Sequence, residues 1–251
     1  MLVPPSSPTP LVYGTSRALH TGVLFPNRSE AGRLLGEALQ RRRTEEPVVL
    51  GLARGGIAVA VEVARVLGAP LDVWIARKIS VADVPEVGLG AVAEGGEVYL
   101  DHRMLRSVGV TAWEAADATR RAAAEVERSA RFFRGGAPAP DVGGRTVVLV
   151  DDGIATGGTA QAAARSLRRA GVARLVLAVP VAALRAAHEL TTEVDELVCL
   201  QVPTDLVTVG RWYLDFRQMS DEEVKALLDR ARGAVPAPAA TVVEGGFHGD
   251  E

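Results

Sequence analysis

Residues 147–159 read VVLVDDGIATGGT. The four apolar residues predict a buried strand, two carboxylates follow at its carboxyl end, and a loop of small residues leads into the helical run 160–170. In an open α/β sheet, ligands bind outside the carboxyl ends of the strands. A loop of small residues that opens a helix presents free backbone N–H groups and the positive end of the helix dipole, which together suit a phosphate.

The two carboxylates are Asp151 and Asp152. Carboxylates accept hydrogen bonds from hydroxyl groups or hold a hydrated Mg²⁺ ion. Together with the phosphate loop, they predict a ligand that has vicinal hydroxyls and a terminal phosphate, such as a ribose 5-phosphate. The alternative is an ordinary strand–turn–helix in which the Asp and Thr side chains only cap the helix.

This stretch resembles the phosphoribosyl-pyrophosphate (PRPP) signature of the type I phosphoribosyltransferases, apart from Gly153, where that family usually has an aliphatic residue. The resemblance implies that Asp151 and Asp152 hold the ribose hydroxyls, directly or through the waters of Mg²⁺. It also implies that the 5-phosphate lies in the loop that follows, formed by Ala155, Thr156, Gly157, Gly158 and Thr159.

A second glycine-rich loop, residues 51–56 with the sequence GLARGG, follows the predicted strand 48–52. Glycine lets the backbone approach a ligand closely, and Arg54 offers a planar fork for phosphate oxygens, although a simple turn would have the same composition. The loop resembles the pyrophosphate loop of the family. That resemblance implies binding by Ala53, Arg54 and Gly55, and a cis peptide bond between Ala53 and Arg54.

The basic pair Arg77–Lys78 follows the predicted strand 71–76 and opens a segment, 79–90, without clear periodicity. Two adjacent cations could neutralise a leaving pyrophosphate. The alternative is that they are simply solvated side chains at the end of a strand. The resemblance implies that Lys78 contacts pyrophosphate and that the segment is a flexible catalytic loop. It contains no further basic residue, and Asp83 and Glu86 are weaker candidates for an acid or base.

The composition predicts a cytoplasmic α/β protein with a sizeable core. The chain has 251 residues, 48% of them hydrophobic, and a net charge of −3, which gives no general attraction to nucleic acid or to an anionic membrane. The single cysteine, Cys199, lies in an apolar run and is expected in the core. Neither zinc-ligand spacing, a transmembrane span nor a good signal peptide is recognisable.

Alternating strands and helices predict an open, mostly parallel twisted sheet flanked by helices, as in type I phosphoribosyltransferases. We expect a flexible arm over 1–22, one domain over 23–232, and a disordered tail over 233–251. Within the domain, 103–134 form a helical insertion, and 203–219 form a small hood with the N-terminal part. The expected helices are 29–42, 57–67, 159–170, 183–190 and 220–232; the expected strands are 48–52, 71–76, 175–181 and 196–202, with a ribbon of 91–93 and 97–100.

The insertion contains a capping box, Thr111 and Glu114, and an apolar stripe at helical spacing. Five arginines lie off that stripe, which predicts a solvated basic face, or else a surface for oligomer contact or for covering the site. They are Arg120, Arg121, Arg128, Arg131 and Arg134.

The hood sequence WYLDF, residues 212–216, either stacks a flat base or is a C-terminal core strand. The family's hypoxanthine/guanine enzymes usually have Asp where this chain has Ala155, and the sequence ATGGT resembles adenine enzymes instead. The implied reaction moves the 5-phosphoribosyl group from PRPP to a nitrogenous base, a purine being slightly favoured, with Mg²⁺ as cofactor.

The implied partners are PRPP and a nucleobase-like acceptor, with neither a membrane nor nucleic acid; a homo-oligomer is left open. The alternative function is a non-catalytic PRPP-binding regulator on the same fold. Arg54 and Lys78 argue against a regulator, because simple ribose-phosphate binding needs neither. A serine hydrolase is disfavoured because the chain contains no G-x-S-x-G motif.

Overall fold

The computed structural model describes residues 12–13, 24–81 and 87–234. Apart from 12–13, the expected N-terminal arm lies outside these residues, as does the expected tail from 235 onward. Asp83 and Glu86 also lie outside them. Of the helices in the described part of the chain, none is both long and apolar enough to span a bilayer.

Two sheets account for the strands of the described residues. The strands are β1 (Val12–Tyr13), β2 (Val48–Leu52), β3 (Leu71–Trp74), β4 (Ala76–Ile79), β5 (Gly90–Ala93), β6 (Val98–Leu100), β7 (Thr146–Val150), β8 (Arg174–Val181) and β9 (Glu196–Gln201). The main sheet has the order β1-β9-β8-β7-β2-β3, and all its neighbouring strands are parallel. The second sheet is an antiparallel ribbon, β4-β5-β6.

Helices cover both faces of the main sheet. They are α1 (Arg28–Ala38), α2 (Gly55–Leu67), α3 (His102–Ser107), α4 (Ala112–Arg134), α5 (Gly158–Arg169), α6 (Leu184–Leu190) and α7 (Asp221–Ala234). In β7, Val148 and Val150 pack in the core with α1 and α2, whereas Val147 and Leu149 pack with α5 and α6. A strand buried on both faces is apolar throughout, as the sequence of β7 is. The predicted fold class is confirmed.

The N-termini of several helices are capped by side chains. Asn27 accepts a hydrogen bond from the backbone N–H of Glu30, and the predicted capping box of Thr111 and Glu114 is present at α4. Ser220 and Glu223 bond reciprocally at the start of α7. These local interactions stabilise helix ends independently of tertiary packing.

The chain turns out of the main sheet earlier than the expected strand 71–76 suggests. Strand β3 ends at Trp74, and β4 begins the second sheet at Ala76. The buried carboxylate of Glu94 accepts a hydrogen bond of 2.8 Å from the backbone N–H of Ile75, which fixes this corner. The ribbon predicted over 91–93 and 97–100 therefore has a third strand, β4, which includes Ile79, the first residue of the expected 79–90 loop.

The first helix is also shorter than the expected range 29–42. Helix α1 ends at Ala38, and residues Gln40–Glu45 form a 3₁₀ helix. Arg41 and Arg42 there approach the buried carboxylate of Glu196 at the start of β9, which Arg174 also contacts at 3.1 Å. These tertiary ion pairs draw the end of the helical run toward the sheet.

Candidate functional site

The candidate site lies where β2 and β7 end side by side. These strands are parallel neighbours, with Gly51 opposite Val150. Two loops therefore leave the same edge of the sheet: one enters α2 at Gly55, and the other enters α5 at Gly158. This arrangement brings together the two glycine-rich loops that the sequence indicated, although 94 residues separate Gly56 from Val150.

Glycines allow the first loop to lie directly against the acidic pair. A Cβ atom on Gly55 would lie 1.9 Å from Oδ2 of Asp152, and one on Gly56 would lie 2.6 Å from the backbone oxygen of Val150. Both distances are far shorter than a carbon–oxygen contact, so neither position has room for a side chain. Close approach is thus the physical reason for both glycines.

The acidic pair is poorly solvated. Burial raises the pKa of Asp151 well above its ordinary value, and the neighbouring Asp152 carboxylate raises it further. Burial also raises the pKa of Asp152, although the guanidinium of Arg28 opposes this shift. Two desolvated carboxylates at the mouth of a loop are typical of a binding or catalytic site, because the fold alone gains nothing from them.

Arg28, a residue that the sequence analysis did not single out, is the ion-pair partner of Asp152. Its Nε donates to Oδ2 of Asp152 at 2.8 Å, and its Nη1 donates to the backbone oxygen of Arg217 at 3.0 Å. The guanidinium carbon lies 3.7 Å from the ring centroid of Phe216. The only local signal is the adjacent N-cap, Asn27, which places Arg28 at the first position of α1.

The segments that were expected to form the hood contact each other through the backbone. The N–H of Phe25 donates to the oxygen of Trp212, and the N–H of Leu214 donates to the oxygen of Phe25, both at 2.8 Å. The Tyr213 hydroxyl donates to the backbone oxygen of Asp152 at 2.5 Å. Tyr213 is therefore a buried support for the acidic pair and not an open stacking surface.

Residues 212–216 are neither a regular core strand nor a free aromatic platform. Val209–Trp212 form a 3₁₀ helix, and Tyr213 makes a single bridge to Phe25. The Phe216 ring is covered by Arg28 on one side and lies 5.0 Å from the Tyr213 ring. A base that stacks in this hood would therefore meet the Arg28 guanidinium.

The hood also accounts for Gly153, the position where the signature departs from its usual pattern. A Cβ atom there would lie 2.5 Å from Cγ1 of Val209 and 3.0 Å from Cγ1 of Val181. Val209 thus fills the space that an aliphatic side chain at position 153 would need. The departure is compensated by packing and leaves the loop in place.

The loop after the acidic pair encloses a pocket of about 170 Å³. Gly157 has a φ of +84° and precedes the first residue of α5, a 12-residue helix whose leading N–H groups have no partner within the helix. The pocket is lined by Asp151, Gly153, Ile154, Ala155, Thr156, Gly157, Gly158, Thr159, Ala160 and Val209. Its backbone donors and helix dipole favour an anion.

Arg54 lies in the loop between β2 and α2, and Lys78 lies on β4. The peptide bond between Ala53 and Arg54 is cis, as the resemblance implies. Nη1 of Arg54 lies 3.5 Å from Oδ1 of Asp221, the first residue of α7, and its side chain is 48% exposed, so it is free to turn toward a ligand. Lys78 lines an adjacent cleft of about 420 Å³ that also reaches Thr156 and Thr159.

Arg77 has a different environment from Lys78. Its Nη1 donates to the backbone oxygen of Ala53 at 3.2 Å, and its Nη2 donates to Oγ of Ser129 at 2.9 Å. Burial lowers the pKa of Arg77, whereas the nearby carboxylates of Glu125 and Asp221 raise it. Its guanidinium is therefore engaged by protein atoms and does not form a pair with Lys78.

The family description that matches this chain is the "Phosphoribosyl transferase domain", over residues 27–212. The chain belongs to this family. Two curated Mycobacterium tuberculosis proteins, "Putative phosphoribosyl transferase Rv0571c" (strain ATCC 25618 / H37Rv) and "Putative phosphoribosyl transferase MT0597" (strain CDC 1551 / Oshkosh), are each 41% identical over 222 residues. The match covers 86% of this chain and 50% of each relative, so the chain spans about half their length.

A solved structure supports the fold of this phosphoribosyl transferase domain. The protein TT1426 from Thermus thermophilus is 44% identical, with a TM-score of 0.68 over 82% of this chain and 98% of that one. The type I resemblance of residues 147–159 is thereby confirmed at the level of family and fold. The roles of individual residues remain predictions from their geometry.

Proposed function

We propose that this domain transfers the 5-phosphoribosyl group of PRPP to a nitrogenous base and releases pyrophosphate. The observation that carries the proposal is the packing of Gly55 against Asp152, beside the pocket at the start of α5. In this proposal, the loop of Gly55 is the anion loop, and it lies with the half-buried acidic pair and the pocket for a phosphate at one edge of the sheet. A ribose that carries phosphates at C1 and C5 requires all three.

The pocket of residues 155–159 would bind the 5-phosphate, and the acidic pair would bind the ribose hydroxyls. Backbone N–H groups at the start of α5 point toward an anion without needing a charged side chain. Carboxylates of raised pKa are strong hydrogen-bond acceptors once a ligand shields them from water. Arg28 neutralises part of their charge and, through its contact with Phe216, links the ribose site to the hood.

The chemical step breaks the bond between C1 of the ribose and pyrophosphate, and a base nitrogen forms a new bond to C1. Negative charge grows on the leaving pyrophosphate while the ribose becomes cationic. Arg54 and Lys78 would stabilise that negative charge, and groups already in place do so at least cost. The loop that begins after β4 would limit the access of water, which otherwise hydrolyses PRPP.

The residues present fit a Mg²⁺ ion of the kind that this family generally uses with PRPP. Mg²⁺ takes oxygen ligands, keeps several waters, and binds through one or two carboxylates together with substrate phosphates. Asp151 and Asp152 supply such carboxylates, and the described residues contain no cluster of three or more candidate ligands. When bound, the ion would supply positive charge beside the pyrophosphate oxygens.

A purine is the favoured acceptor, and the product would be a nucleotide, as in base salvage in the cytoplasm. The proposal is tested by measuring pyrophosphate release from PRPP and Mg²⁺ with a panel of purine and pyrimidine bases. Release with one base establishes the transferase and identifies its acceptor. Binding of PRPP by calorimetry without release with any base would support a non-catalytic regulator instead.

Lys78→Ala is expected to lower kcat about 100-fold while changing KM for PRPP by less than about threefold. The reason is that negative charge on pyrophosphate is greatest in the transition state, where the exposed ammonium group acts most strongly. Steady-state kinetics with PRPP as the varied substrate measures both constants. The chain's other lysine, Lys225, pairs with Asp229 on α7, so Lys225→Ala is the matched control. A defect in KM alone would show that Lys78 binds only the ground state.

Gly55→Ala is expected to lower kcat/KM for PRPP about 100-fold, because the added methyl group must displace the Asp152 carboxylate from its position. The methyl carbon would otherwise lie 1.9 Å from Oδ2 of Asp152. Gly143→Ala is a suitable control, since its nearest neighbour would be 3.5 Å away. Wild-type kinetics for Gly55→Ala would contradict the close packing of the two loops.

A further inference from the structure

The helical insertion is connected to the proposed pyrophosphate loop through one side chain. Arg77, on β4, reaches in two directions: Nη1 donates to the oxygen of Ala53 at 3.2 Å, and Nη2 donates to the hydroxyl of Ser129 on α4 at 2.9 Å. Ala53 immediately precedes Arg54 in the loop between β2 and α2. The guanidinium thus joins three elements that are distant in sequence.

We propose that Arg77 is a positioning residue that holds the pyrophosphate loop against α4, and that this is a role of the insertion. The inference rests on the proposed function, because it assigns the loop to pyrophosphate. A planar guanidinium with donors at fixed angles is suited to joining a carbonyl and a hydroxyl rigidly. The Ser129 hydroxyl accepts a hydrogen bond from Nη2 of Arg77, and the backbone oxygen of Ala53 accepts one from Nη1.

The surroundings of Arg77 favour a positioning role over direct contact with a ligand. Both terminal nitrogens already have partners within the protein, and Nε is buried without a hydrogen-bond partner among the described residues. The carboxylates of Glu125 and Asp221 stabilise its charge, while the charge of Arg54 opposes it. Arg77 is therefore anchored beside Arg54, and Arg54 keeps the half-exposed side chain that a ligand can reach.

Two ligand probes separate this role from a general loss of structure. Pyrophosphate with Mg²⁺ reports on the loop of Ala53 and Arg54, whereas ribose 5-phosphate reports on the pocket at the start of α5. Calorimetric titration of the full chain with each probe gives two dissociation constants for every variant. Thermal unfolding of the same samples confirms that each variant is folded.

Arg77→Gln is expected to weaken pyrophosphate binding about 10- to 100-fold and to change ribose 5-phosphate binding by less than about twofold. Ser129→Ala, which leaves Arg77 in place, is expected to weaken pyrophosphate binding about 3- to 10-fold. Arg77→Lys should recover part of the loss, since an ammonium group can reach one partner but not both at once. Thr119→Val is the matched control, because among the described residues the hydroxyl of Thr119 on α4 bonds only to the backbone oxygen of Ala115 in the same helix.

The outcomes distinguish a positioning role of Arg77 from direct binding of pyrophosphate and from a general loss of structure. Unchanged pyrophosphate binding in Ser129→Ala would overturn the role of α4, and so would equal weakening of both probes in Arg77→Gln. A strong effect of Arg77→Gln with none of Ser129→Ala would show direct binding of pyrophosphate by Arg77 instead. If the wild-type protein binds neither probe, the proposed function itself fails, and the assignment of the loop fails with it.

Discussion

Asp151→Asn is expected to lower pyrophosphate release from PRPP about 1000-fold while making the folded protein more stable. The carboxylate is desolvated and lies beside a second acid, which is why its pKa is raised well above the ordinary value. Asparagine has the same shape and keeps an oxygen that can accept the 2.9 Å hydrogen bond from the N–H of Asp152. It removes the buried charge and, with it, a strong acceptor for a ribose hydroxyl.

The stability gain should depend on pH in a definite direction. A raised pKa means that the folded state retains its proton to higher pH than the unfolded state does. Ionised Asp151 therefore destabilises the fold above its folded pKa, and this cost disappears as the pH falls below the ordinary carboxyl range. We expect the difference in Tm between Asp151→Asn and the wild type to be larger near pH 8 than near pH 4.

The measurements are pyrophosphate release at saturating PRPP and thermal unfolding at both pH values. Asp141→Asn, a change in an exposed loop, is the control and should alter neither. Unchanged turnover in Asp151→Asn would refute the ribose assignment. If Asp151→Asn had a lower Tm than the wild type near pH 8, the ionised Asp151 carboxylate would not be destabilising the fold.

Arg134→Met is expected to destabilise the fold by about 3–5 kcal/mol, which corresponds to a fall of about 10 °C in Tm for a domain of this size. The guanidinium bonds both carboxylate oxygens of Glu94, at 2.8 and 2.9 Å, and the backbone oxygen of Val73 at 2.7 Å. The side chains of Arg134 and Glu94 are only 3% and 8% exposed. Without the arginine, Glu94 remains buried with its charge uncompensated.

A double substitution tests this explanation for the loss of stability. Arg134→Met with Glu94→Gln should be more stable than Arg134→Met alone, because glutamine removes the unpaired charge and can still accept the N–H of Ile75. Arg131→Met, on the exposed face of the same helix, should change Tm by about 1 °C or less. Additive effects of the two substitutions would show that the ion pair is not the cause.

Arg134 also marks where the interpretation of the sequence was wrong. Helical spacing placed it with four other arginines on a solvated basic face, yet α4 ends against the corner between β3 and β4, and Arg134 is buried there. Arg120, Arg121, Arg128 and Arg131 are exposed, as that interpretation expects. The periodicity of one helix describes its own faces, but it carries no information about which carboxylate lies opposite its last turn.

The family, the α/β fold and those parts of the candidate site that are contiguous in the chain were predictable from the sequence. Strand, acidic pair, loop and helix follow one another in residues 147–159, and caps such as Asn27 act within a few residues. Interactions over so short a range depend on local spacing, which is visible in the sequence.

The distant side chains that support this candidate site became visible only in the folded chain. Arg28 donates a hydrogen bond to Asp152, which is 124 positions away in the sequence, and Arg77 donates one to Ser129, which is 52 positions away. Val209 fills the space beside Gly153. Each partner is one of many similar residues along the chain, so composition and periodicity could not select it. The order of the parallel strands makes that selection, because it brings separate loops to one edge of the sheet, where close packing admits only residues that fit.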